Sequence, residues 1–75
     1  MDYKTIASSS SKDCVDALQS LLGYDGMYIH SSNSYFLRMP LIKYNELNDA
    51  AKEYIDDFSE GFVNGWEMAL EKRNN

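Results

Sequence analysis

Cys14 is the only thiol and His30 the only imidazole in a chain of 75 residues, so nucleophile-and-base chemistry would have to rest on that one pair. No motif joins them. Cys14 falls on an apolar stripe of helical spacing, where a thiol behaves as a small hydrophobe. His30 falls beside a hairpin turn as an exposed strand-end residue. Zinc sites want clustered Cys and His, and calcium loops want alternating Asp or Asn around a glycine. Neither pattern occurs, and no glycine stands in a strand–loop–helix phosphate motif. The residues point away from an enzyme, a resident metal and a cofactor.

What the sequence does carry is charge, unevenly placed. Residues 1–45 hold four acids and four bases, whereas residues 46–75 hold eight acids and three bases, so the whole net charge of −5 belongs to the second segment. Such a balance disfavours direct nucleic-acid binding, which depends on Lys and Arg displacing counterions from phosphates. It suits a basic protein surface instead.

The acids are ordered by the element that must carry them. From about Asn45 to Lys72 the apolar pattern predicts one helix of some 27 residues, about 40 Å long at 1.5 Å per residue. Leu47, Ala51, Tyr54, Ile55, Phe58, Phe62, Trp66 and Ala69 step onto one arc as its expected core face. Asp49, Glu53, Asp56, Asp57, Glu60, Asn64, Glu67 and Glu71 step onto the opposite arc and form the candidate partner-binding face. A solvated face is the plain explanation for such acids. Against it, Asp49–Glu53, Glu53–Asp57, Asp56–Glu60 and Glu67–Glu71 are like-charge pairs four apart, each costing a few tenths of a kcal/mol on an isolated helix. A face shaped for solubility alone would mix signs.

Gly61 and Gly65 lie four apart in the same helix, at a cost of about 1 kcal/mol each relative to alanine. Three structures could compensate. The first helix or the hairpin of the same chain fills the groove they make; a second copy fills it in a homodimer; or the helix breaks, with Gly61 ending one segment and Asn64 capping the next.

Upstream, residues 2–7 are strand formers that could be an edge strand or an ordered arm. A helix is expected from Ser11 to Leu22, with Ser10 as N-cap, Asp13 three residues on as a capping box and Gly23 as its stop. Residues 27–30 and 35–39 read as the strands of a hairpin around Ser31–Ser34, and Pro40, which cannot donate to a ladder, should end the second. The aromatic residues are expected mainly in the core, with Tyr28, Tyr35 and Phe36 as alternative interface anchors on the hairpin.

Around the glycines, Phe62, Asn64, Gly65 and Trp66 form a spacing that is similar to a stretch in the acidic anti-CRISPR proteins, small phage-encoded inhibitors that block the nuclease Cas9. The resemblance covers about ten residues, from Phe58 to Glu67. It departs in a longer first helix and in the lack of an obvious third strand. It implies strands combined with helices, and carboxylates occupying a nucleic-acid-binding surface, here Asp56, Asp57, Glu60 and Glu67.

The expected architecture is therefore one α+β domain over residues 1–75: a strand or arm, a helix, a β-hairpin and a long C-terminal helix packed on a small antiparallel sheet. A lone cysteine suits a reducing, cytoplasmic setting, and no apolar run approaches membrane-spanning length. The expected function is a non-enzymatic binder, a phage or mobile-element inhibitor acting as a nucleic-acid mimic. The alternative is a small homo-oligomeric structural or regulatory protein joined at Gly61 and Gly65.

Overall fold

In the computed structural model, which describes residues 2–73, turn residues and apolar runs resolve into six elements. They are β1 (Tyr3–Ser9), α1 (Lys12–Leu22), β2 (Tyr28–Ser31), β3 (Tyr35–Pro40), α2 (Leu41–Glu46) and α3 (Asp49–Arg73). The mixed α+β architecture and the long C-terminal helix are present as expected. The N-terminal run is a full strand, so the sheet gains the third strand that the sequence did not make obvious.

Strand order is β1-β3-β2, with both pairings antiparallel, which puts β3 in the centre and leaves β1 and β2 as edges. Side chains alternate across a strand. Leu37 and Met39 of β3 therefore face the helices, together with Ile29 opposite Leu37, while Phe36 and Arg38 share the other face with Tyr28 and His30. Between Thr5 and Ala7 the β1 register shifts by one residue against Arg38 and Leu37, leaving Ile6 as an inserted bulge residue. On the helix side, Cys14, Val15 and Leu18 of α1, Met27 just before β2, Leu37 and Met39 of β3, and Val63 of α3 form one buried cluster.

The first helix starts one residue later than a Ser10 cap would require. Ser11 is the N-cap, with extended backbone, and its Oγ accepts the Cys14 N–H at 3.3 Å. The position three beyond the cap is thus Cys14, so Asp13 cannot close a capping box. Ser9 takes that part, its Oγ accepting the Ser11 N–H at 3.1 Å. The far end follows the sequence: Gly23 sits at φ 66°, the left-handed conformation that glycine adopts without a Cβ penalty, and donates to Gln19 O. Ser11→Ala should lower the unfolding free energy by about 1 kcal/mol, and Ser10→Ala should change it little, read from urea midpoints at constant slope.

A second correction concerns the start of the long helix. Pro40 ends β3 as expected, but the chain then turns at once into α2, and Leu47–Asn48 separates α2 from α3. The cause is local capping. Asn48 Oδ1 accepts the Ala51 N–H at 2.8 Å, which sets the first turn of α3, while Leu47 leaves α2 in extended conformation. Leu47 still packs on the core, as a connector and not as a helical residue.

The third correction is rotational. The buried positions of α3 are Ile55, Ser59 and Val63, spaced by four, whereas Tyr54 is 57% exposed and Ala69 is exposed. Phe58, Phe62 and Trp66 flank the buried line, partly covered. A serine on the contact line hid its true position. Small Ser59 lets the helix lie close to β1, and Val63 takes the place that the aromatic pattern assigned elsewhere.

Candidate functional site

All eight residues of the predicted partner-binding face, Asp49, Glu53, Asp56, Asp57, Glu60, Asn64, Glu67 and Glu71, lie within α3 and are exposed. Continuous helical geometry over Asp49–Arg73 is what gathers them: at 100° per residue they occupy one arc beside the buried line of Ile55, Ser59 and Val63. Among the described residues the one ion pair is Lys12–Asp16, at 2.7 Å, on α1. The carboxylates of α3 are therefore unneutralised by any salt bridge within that set. Lys52 is the base four residues before Asp56, but its ammonium lies 5.6 Å from the centre of the Tyr44 ring. Lys72 and Arg73 stand in the last turn, where they favour the helix dipole that Glu67 and Glu71 oppose.

One acid of the arc has a partner inside the chain. Tyr44 of α2 donates from Oη to Asp56 Oδ2 at 3.0 Å, and burial followed by that carboxylate raises the phenol above its ordinary value of 10.0. Lys4 of β1 lies over the same ring at 5.2 Å. Tyr44 thereby ties β1, α2 and the N-terminal half of α3 together, a role the sequence did not disclose because its three partners are distant in the chain.

The acidic arc does not simply face outward. Between its Asp56, Glu60 and Asn64 side and the outer edge of β1 runs an open cleft of about 380 Å³, with residues 4–8 along one wall and Ser59 and Val63 at its base. The Oγ of Ser59 is buried and has no hydrogen-bond partner among the described residues.

The glycines face a different direction. A Cβ built at Gly61 or Gly65 would meet nothing within 4 Å. No other part of the described chain fills a groove there, and α3 runs unbroken through both positions, which removes the intrachain and broken-helix explanations. They lie on an exposed strip with Tyr54, 57% exposed, and Met68, 58% exposed. Alongside runs a ladder of aromatic rings four residues apart, with centroids separated by 5.6 Å for Tyr54–Phe58 and 6.0 Å for both Phe58–Phe62 and Phe62–Trp66.

The residues with chemical potential are kept apart. Cys14 is fully buried, and burial pushes its thiol above the ordinary 9.0, while His30 lies on the opposite sheet face with its ring 6.3 Å from that of Phe36. Among the described residues no group of three or more His, Cys, Asp or Glu is arranged to hold a metal ion. A thiol raised by folding stabilises the fold fully below its unfolded pKa and loses that contribution as pH rises through the folded value. Stability should therefore decline above about pH 9.0, and Cys14→Ala should flatten that decline in thermal melts between pH 8 and pH 11.

No helix among the described residues is long and apolar enough to cross a membrane. No family model, curated protein or solved structure matches this chain.

Proposed function

We propose that this protein is a non-enzymatic binder, a phage or mobile-element inhibitor that lays the acidic face of α3 on a basic, nucleic-acid-binding surface of a host protein. The observation that carries this reading is a row of exposed carboxylates on one rigid helix with no ion pair among the described residues. Single-sign fields of this kind speed encounter and orient the partner more than they set final affinity. The likeness of Phe62, Asn64, Gly65 and Trp66 to the anti-CRISPR stretch supports the same setting, as does a lone buried thiol suited to the cytoplasm. The reading needs no cofactor and no direct contact with nucleic acid or membrane.

The test is capture from a host lysate at low and at high salt, comparing the native chain with a variant neutralised at Glu53, Asp56, Asp57 and Glu60. A nucleic-acid-binding protein held only by the native chain, only at low salt, and released by competing duplex DNA is the expected result. Equal capture by both chains would sink it.

A second reading is favoured by one observation, the open space above Gly61 and Gly65 between exposed Tyr54 and Met68. In this reading a second copy packs its own α3 there and the protein is a homodimer. Gly61→Ala and Gly65→Ala decide it, since in a monomer each should raise stability by up to about 1 kcal/mol, visible as a higher melting temperature. In a dimer they should weaken self-association in light scattering.

A further inference from the structure

We propose that the cleft between β1 and α3 takes an extended basic segment of a partner protein, which adds as a fourth strand to the free edge of β1 while its cationic side chains meet the carboxylates of α3. This rests on the reading of α3 as a docking face and specifies what it docks.

The backbone carries the first part of the argument. In an antiparallel ladder alternate residues turn their N–H and C=O groups toward one neighbouring strand and the others turn them away. β1 pairs with β3 alone, so its second edge is unpaired, and residues 4–8 along it line the cleft. An exposed edge is a template for another strand unless something blunts it. Here the bulge at Ile6 and the side chain of Lys4 blunt part of the edge, and α3 stands alongside without closing the cleft.

The opposite wall selects the occupant. Asp56, Glu60 and Asn64 repeat at a four-residue interval along the cleft, and Glu53 and Glu67 extend the acidic arc beyond it. Lys4 is the single cation of the lining, and its ammonium lies over the Tyr44 ring. A second copy would bring another acidic α3 against this one. An extended segment with Lys or Arg on alternate residues would present charge to α3 and backbone to β1 at the same time.

A third observation is a polar atom at the base of the cleft. Ser59 is fully buried and lines the cleft, and of the three buried side-chain polar atoms without a partner among the described residues, Arg38 Nε, Ser59 Oγ and Trp66 Nε1, its hydroxyl alone belongs to the cleft lining. Buried polar atoms are almost always paired. A strand laid in the cleft would offer a backbone or side-chain group to it.

The test uses a capped ten-residue peptide alternating lysine with threonine or valine, and a twin of equal charge methylated on alternate backbone nitrogens. Amide exchange across residues 4–8 should slow by about tenfold or more with the first peptide and not with the twin, as local opening of that edge is suppressed. Ser59→Ala should weaken the first peptide while leaving the melting temperature unchanged or higher, which separates a ligand role from a folding role. Equal, salt-sensitive binding of both peptides would overturn strand addition and leave the acidic face standing as a docking surface. No binding of either peptide overturns the strand addition, and host capture unchanged by neutralising the stripe overturns the wider reading separately.

Discussion

Replacing Glu53 and Glu60 with Gln, and Asp56 and Asp57 with Asn, should slow association with a basic partner by about tenfold or more at low salt and flatten the dependence of on-rate on ionic strength. All four side chains are exposed, and none belongs to an ion pair among the described residues, so the change removes field and leaves packing in place. The fold should tolerate it. Glu53–Asp57 and Asp56–Glu60 are like-charge neighbours whose neutralisation returns a few tenths of a kcal/mol. Against this, the Asp56 change weakens the acceptor for Tyr44, a contact at an exposed site. A melting temperature within a few degrees of the native value, together with a lost salt dependence, separates a docking role from a structural one. Stopped-flow mixing across ionic strength reads both slopes. Unchanged on-rates would reduce the stripe to a solvated face.

The fold was legible where one local cause dominates. Gly23 stops α1, the serine-rich loop turns the hairpin and Pro40 closes β3, because each acts through backbone conformation within a few residues. The acidic arc was legible for a similar reason, since helical spacing alone gathers it. What escaped was set by tertiary contact. Asn48 reads as one polar residue among many until its side chain caps α3, so the long helix was expected to begin at about Asn45 and α2 was not foreseen as a separate element. Ser59 drew no assignment to either face, because nothing in its type announces that α3 lies against β1 at that point. Of the two readings of residues 2–7 the edge strand holds, but its partner was hidden, because pairing with β3 joins residues about thirty apart in the chain.

Rotation of α3 about its own axis is the step on which both the acidic face and the cleft depend, and truncations at Tyr54 and Ile55 test it, read against Leu37 of β3 as a fully buried reference. Leu37→Ala should cost about 2–5 kcal/mol, as large-to-small changes in closed cores do. Leu37 is fully buried at the centre of β3, facing Ala7 on one side and Ile29 on the other, and packs in the cluster that includes Val15 and Leu18. A chain of this size holds only about 3–5 kcal/mol in reserve, so the variant should be largely unfolded, with collapsed NMR dispersion and no cooperative urea transition. Tyr54→Ala should cost about 1 kcal/mol or less, because its ring is 57% exposed and stacks only along the helix surface on Phe58. Ile55→Ala, one residue on, should approach the Leu37 result, since Ile55 is fully buried. Adjacent helical residues differ by 100° in direction. If truncating Tyr54 proved the more damaging of the two, α3 would be turned by about that angle and its carboxylates would face away from the β1 edge. The docking face and the strand-addition cleft would then be lost together, so the ratio of the two stability losses measures the geometry on which both proposals stand.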